Sequence, residues 1–302
     1  MKGSIYILLG GISYGLLSSF VKRAYAHGYL VNDVVGVQML LGTFILWVLY
    51  LLLKKSDKKK GVTYEKFKQK DIILLLTCGS VTGLTGLLYY TSLSTIPASV
   101  AVILLFQFTW IGVVIEAVFF KKKPGKEKLL SLIPLIIGTI IASNVFSSEI
   151  VLDFKGVFFG ILSAISYSVF IIVSGQIAPK SNPIAKSATM ITGGLVLCAI
   201  IAFPTFYTNF AHFIDIAKHS GFYLAMFGPV ISTVMFAKGT PLVGGGMASL
   251  LGAIELPTVI VSSYLFLHEQ ITILQLIGVA LILLAIAYPI LVKEETKMYT
   301  CK

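Results

Sequence analysis

Glu255 is the only charged residue in the stretch LVGGGMASLLGAIELPTVIVSSYLFL, residues 242–267. A carboxyl at the centre of a bilayer costs about 2.5–3.5 kcal/mol on insertion scales. It must therefore face protein or water, or carry a proton. Such a group can bind a cationic amine, and it can exchange a proton for that amine. Pro257 lacks an N–H and leaves the Ala253 carbonyl without its helical donor. A freed carbonyl beside a carboxyl is tolerated only against other helices or a wet cavity. Ala248, Gly252, Glu255, Thr258 and Ser262 follow helical steps and share one small, polar face. The plainer reading of that face is helix packing around a protonated, hydrogen-bonded Glu.

Three more polar side chains fall at the same depth. Tyr14, Gln107 and Tyr167 each lie at or near the middle of an apolar run. For Gln107 and Tyr167 the offset is within about 5 Å at 1.5 Å per residue. Gln107 shares a stripe with Ile103, Trp110 and Val114, and the Trp110 ring offers a wall on which a substrate can stack. Tyr14, Ser18 and Lys22 form a stripe of the first run, with Lys22 about 12 Å further out. Lys22 is placed either to meet a substrate carboxylate or to snorkel to the surface. Ser163 and Tyr167 form a similar stripe. The candidate binding residues are thus Glu255, Gln107, Trp110, Tyr14, Tyr167 and Lys22, with Glu255 also the candidate for proton coupling. Interhelical hydrogen bonding is the plainer role for the Gln and the Tyr residues. Glu116, nine residues beyond Gln107, falls on the opposite face and stays outside the site.

Composition dictates the elements that carry these residues. The chain has 302 residues, 57% hydrophobic and 12% charged, with mean hydropathy +0.92. Soluble domains carry about 25% charge. Apolar runs at 3–25, 32–53, 71–92, 98–120, 127–144, 154–175, 184–205, 219–238, 243–266 and 272–292 predict ten spans. The stretch 206–218 reads as a loop or an interfacial turn. With the N-terminus inside, 20 of the 24 Lys and Arg residues fall on the inner side. That asymmetry predicts both termini in the cytoplasm, and the plasma membrane is the expected location. The net charge of +11 sits in short clusters between spans, which argues for membrane orientation and against nucleic acid as a partner.

GISYG (11–15) in span one is echoed by AISYS (164–168) in span six, and FQFTW (106–110) in span four by IELPT (254–258) in span nine. Five is odd, so the second set of spans enters from the opposite side. The expected fold is an all-α polytopic membrane protein of ten transmembrane helices as a 5+5 inverted repeat. Its halves are 1–145 and 146–293, followed by a cytoplasmic tail, 294–302. Inverted repeats are the architecture of many secondary transporters, with the site at midplane between the repeats.

SYG at 13–15, the stretch from Ala248 and Ser249 through Glu255 and Pro257 to LHE at 267–269, and Gly278 in the last span resemble the EamA-type transporters of the drug/metabolite transporter superfamily. The first half departs from the pattern, with Thr109 where Pro257 stands and Lys121–Lys123 in place of LHE. The resemblance implies a ten-helix carrier that exports amino acids or other small metabolites, with spans three and eight as further walls of the cavity. An uncoupled facilitator and a multidrug or toxic-compound exporter are the alternatives, and a homodimer is compatible with each.

No G-x-x-x-x-G-K-[ST], H-E-x-x-H or G-x-S-x-G occurs. No ATP site, enzyme activity or cofactor is expected. A lipid-acting enzyme would also need a nucleophile–base pair or a second carboxylate at the depth of Glu255. A scaffold would need ordered extramembrane parts, and the longest loop is short and lysine-rich. The cysteines (78, 198, 301) and the four histidines (27, 212, 219, 268) show no metal-ligand spacing.

Overall fold

In hydrocarbon the backbone can satisfy its polar groups only internally, and helices meet that demand within one segment. The computed structural model describes residues 2–59, 64–93, 95–96, 98–121, 123–143, 153–201, 209–268 and 270–300, and among these there is no strand. Lys122, Ser148, Glu269, Cys301, Lys302 and the 206–208 part of the uncertain segment lie outside the described residues. The elements are α1 (Lys2–Ala26), α2 (Val31–Lys59), α3 (Gln69–Leu93), α4 (Ala98–Phe106), α5 (Phe108–Phe119), α6 (Lys126–Ala142), α7 (Phe154–Gln176), α8 (Pro183–Ile201), α9 (Phe210–Ile216), α10 (Phe222–Ala225), α11 (Ile231–Val243), α12 (Gly245–Gly252), α13 (Glu255–Leu267) and α14 (Ile273–Thr300). Apolar side chains such as Phe119, Phe154, Ile200 and Ile273 are more than 70% exposed, as a lipid-facing surface requires.

Among the described residues, nine helical stretches are long and apolar enough to cross a membrane. α6, the expected fifth span, has 17 residues, about 25 Å of helix. Spans four and nine are each two helices in series, α4–α5 and α12–α13. Span eight is longer than expected. Helix starts at Phe210, inside the segment read as loop or turn, and runs to Val243. Two π-helical turns, Ala217–Gly221 and Met226–Val230, join α9, α10 and α11. Pro229 in the second turn cannot donate to the ladder, and the Thr233 hydroxyl caps the Pro229 carbonyl. The helix of the last span continues past Val292 to Thr300, through residues read as tail.

Helix directions follow from paired residues. Gly11, Gly15 and Ser19 of α1 meet Ile254, Thr258 and Ser262 of span nine in the same order, so the two run parallel. Gly3 and Gly10 of α1 meet Leu242 and Phe236 of α11 in reverse order. Gly79 and Gly83 of α3 meet Met190 and Cys198 of α8 in parallel, and Thr85 and Ser92 meet Ser166 and Gly156 of α7 in antiparallel. α6 and α14 pair with each other through Gly138, Ala142 and Gly278. The first helix of the chain thus packs on spans eight and nine, while α7 packs on spans three and four.

Candidate functional site

The two ISY segments meet at the centre of the bundle. The Tyr14 and Tyr167 rings stack with centroids 5.8 Å apart and planes at 23°. Their neighbours make matching bonds. Ser13 donates to the Phe227 carbonyl of span eight at 2.7 Å, and Ser166 donates to the Val81 carbonyl of span three at 3.0 Å. Each serine ties its helix to the third span of the other set, and each tyrosine is thereby turned inward.

Glu255 lies beside this pair. It is 4% exposed, and the Tyr167 hydroxyl is within hydrogen-bonding reach of its carboxyl. Its Oε2 has no hydrogen-bond partner. The helix that carries it breaks immediately before it. Ala253 and Ile254 donate to carbonyls three residues back, at 3.2 and 3.3 Å, instead of four. The carbonyl expected to be freed by Pro257 is taken up by that tightening, since Leu256 N donates to Ala253 O at 3.2 Å. α1 reaches the break because Gly15 has no side chain. A Cβ there would sit 2.7 Å from the Glu255 carbonyl and 2.6 Å from Thr258 Cβ.

Span four breaks at the matching position. Gln107 separates α4 from α5 and donates from N to Leu104 O at 3.2 Å. Thr109, which stands where Pro257 stands in the echo, donates its hydroxyl to the Phe106 carbonyl at 2.9 Å. The Gln107 side chain binds its own helix, with Nε2 donating to Ile103 O at 2.8 Å and Oε1 accepting from Trp110 Nε1 at 2.6 Å. The residue of this break that packs on Tyr167 is Phe108, edge to face at 4.7 Å. Sequence reasoning missed Phe108. The signal available was its place one residue after Gln107, where a broken helix turns a new side chain inward. Trp110 and Val114 are 36% and 47% exposed, so their stripe is the open face of α5. Lys22 is exposed, two turns along α1 from Tyr14.

The opposite face of α5 is buried and carries Glu116, 4% exposed. Its Oε2 pairs with Lys128 Nζ of α6 at 3.0 Å. The carboxylate also abuts the start of α12. A Cβ on Gly246 would lie 2.5 Å from Oε2, and one on Gly244 2.9 Å from Oε1. Gly244 has φ +88°, a conformation that suits glycine. One carboxylate thus meets an ammonium and the positive end of a helix together. Glu116→Ala is expected to lower stability by about 1–3 kcal/mol, read as a drop in melting midpoint in detergent. Exchanging the pair (Glu116→Lys with Lys128→Glu) should not restore it, because a cation would then face the α12 N-terminus. Full recovery in the exchanged protein would show that only the ion pair matters.

Three of the four histidines gather at the far end of α1. His212 Nε2 lies 3.4 Å from Asp33, a fully buried carboxylate. His219 Nδ1 lies 3.3 Å from Asp215, and the His27 and His219 rings are 5.7 Å apart. Tyr29 donates to Asp215 at 2.7 Å. Partial burial and that carboxylate push the Tyr29 hydroxyl up to about 12, so it remains a donor at neutral pH. Among the described residues no cluster of His, Cys, Asp and Glu has the geometry to hold a metal ion.

Residues 1–144 and 154–290 match the model of the EamA-like transporter family. The chain is 24% identical over 310 residues to a protein of Synechocystis sp. named as an uncharacterized transporter, sll1319, covering 95% of this chain and 92% of that one. It is 23% identical over 298 residues to the uncharacterized transporter YcbK of Bacillus subtilis, covering 91% and 88%. A crystal structure of a protein with 15% identity shares the fold at TM-score 0.71, covering 96% of this chain and 98% of that one.

Proposed function

Because the chain belongs to the EamA-like transporter family, and is therefore a multi-pass membrane transporter rather than an enzyme, we propose that it exports amino acids or related small metabolites by alternating access, with Glu255 as the site of amine binding and proton exchange. The observation that carries this reading is the buried Glu255 carboxyl, whose Oε2 lacks a partner beside the stacked Tyr14–Tyr167 pair. A buried carboxyl oxygen left without a partner has capacity for one more donor, and an ammonium supplies it. Tyr14 and Tyr167 form an aromatic wall, which attracts the same cation through its ring faces. Phe108 closes the wall from span four. Gln107 and Trp110 line the open face next to it, and Lys22 waits further along α1. Proton exchange needs no other midplane acid. The plasma membrane is the proposed location, and the export direction rests on the family resemblance.

The architecture we propose has ten spans, α6 among them, in two inverted halves, 1–145 and 146–293. The paired Ser13 and Ser166 bonds, the breaks at Gln107 and before Glu255, and the reciprocal packing of spans one and six support it. The antiparallel pairing of α6 with α14 supports it too. Cysteine placed at Ser56 should react with an impermeant maleimide from the cytoplasm, and cysteine at Ser148 from outside. Labelling of both from one side would remove the inverted repeat. The cargo is found by comparing metabolites in the medium of cells with and without the protein, and no difference in any amine-bearing solute would sink the export reading.

A further inference from the structure

Among the described residues, Lys186 also has a buried polar atom without a hydrogen-bond partner. It is 1% exposed, among the largest fully buried side chains of the molecule, and its Nζ has no hydrogen-bond partner. An ammonium in a membrane bundle almost always pairs with an acid or with carbonyls. Among the described residues no acid is paired with it. The titratable group facing it is the Cys78 thiol of α3. Asp71, at the start of α3, accepts from the Lys68 N–H at 2.9 Å. Glu65 pairs with the exposed Lys180 at 3.5 Å. Lys238 of α11, which also packs on α8, lies over the Tyr6 ring at 5.7 Å and is a like charge.

The position in the helix makes the charge harder to explain as packing. Lys186 is in the first turn of α8, which begins at Pro183. The N-terminal end of a helix carries partial positive charge and disfavours a cation there. Asn182 Oδ1 accepts from Ile184 N and Ala185 N at 2.9 and 3.2 Å, so the first N–H groups are satisfied and the helix contributes its dipole alone. The hydroxyl of the next residue, Ser187, is also buried with no partner. A buried ammonium and a helix N-terminus of the same sign both call for an anion. α8 runs parallel to α3, so this turn lies at the end of the bundle where α3 begins. It is about 13 Å along the axis from the middle of the 184–205 span, whereas Glu255 is at mid-span.

We propose that Lys186 is a carboxylate-binding station on the transport path, and that the cargo is zwitterionic: its carboxylate docks at Lys186 and its amine at Glu255. This rests on the reading of Glu255 as the amine site. The axial offset exceeds the separation of the two charges in an α-amino acid, so the stations act in succession.

The test separates the two stations with single-charge probes. The purified full-length protein is melted in detergent at fixed ionic strength in sodium acetate, sodium chloride, sodium phosphate, methylammonium chloride or neutral acetamide. Acetate should raise the melting midpoint in a saturable way beyond chloride and phosphate, and acetamide should not. Lys186→Met should lose the acetate shift and keep the methylammonium shift. Glu255→Gln should do the reverse. If Lys186→Met does not fold, Lys186→Gln keeps a polar side chain without the charge and takes its place. An acetate response no larger than that of chloride in the unmodified protein, or one that survives loss of the Lys186 charge, overturns the proposal. A larger response to phosphate reassigns the anion and overturns the carboxylate. Failure of methylammonium alone removes the Glu255 reading and leaves Lys186 standing.

Discussion

Glu255→Gln should abolish uphill export and its dependence on external pH while leaving exchange of substrate for substrate. The amide keeps the shape of the side chain and cannot titrate. In the proton-exchange scheme, external acid loads the emptied carboxyl and cargo displaces the proton on the cytoplasmic side. Export by the unmodified protein should therefore accelerate as the outside is acidified, and the Gln protein should show a flat profile. Losing a buried charge partner costs about 2–5 kcal/mol in an ion pair, and the lower half of that range corresponds to roughly 30- to 300-fold weaker amine binding, so exchange persists only at correspondingly higher substrate concentrations. Folding should be spared, since the substitution removes a buried ionisable group and adds none. Flux in proteoliposomes with imposed pH gradients, with the melting midpoint as control, reads all of this. If the Gln protein exports uphill with an unchanged pH profile, Glu255 is a packing residue.

Gly79→Val should prevent folding. A Cβ at Gly79 would sit 1.6 Å from the Met190 carbonyl oxygen and 2.3 Å from its carbon. The obstacle is backbone, so no rotamer change relieves it. Gly193 makes the reciprocal approach, where a Cβ would lie 2.0 Å from the Leu76 carbonyl oxygen. α3 and α8 would have to separate along their whole contact, which also carries the Ser80 bond to Gly193 O at 3.1 Å. Overpacking costs typically 1–3 kcal/mol and more where nothing yields, against a total stability of about 5–15 kcal/mol. Gly79→Ala should lower the melting midpoint markedly, and Val should leave no monodisperse protein on size exclusion. Gly28→Ala is the contrast. That glycine has φ +82° and nothing within 4 Å of its absent side chain, so the loss is a backbone term of about 1–2 kcal/mol. Equal losses at the two positions would mean that the α3–α8 approach is not what limits folding.

Run length, the lysine distribution and periodicity are properties of the chain alone. They are enough to give an all-helical polytopic membrane protein and most of its long apolar helices. Hydrocarbon imposes that legibility, because a segment within it has few ways to satisfy its backbone. The reading that Glu116 faces away from Gln107 was available in the same way. Its pairing was not, because the Lys128 partner belongs to another helix and only packing makes the two adjacent. The stripe through Ile103, Gln107, Trp110 and Val114 assumed an unbroken helix. The stripe persists across the tight turn at Gln107, bonded from Ile103 through Gln107 to Trp110, but it is the open face, and the neighbouring Phe108 is the residue that packs on Tyr167. Span eight begins earlier, at Phe210, because helix continues through FAHFIDIAKH by way of a π turn at Ala217–Gly221, whose wide winding leaves no periodic mark. In the sequence Lys186 is simply one of the 20 Lys and Arg residues on the expected inner side. Whether an ammonium so near a helix end reaches water or is sealed among neighbours is decided by which helices close over it, and three-dimensional packing alone carries that information.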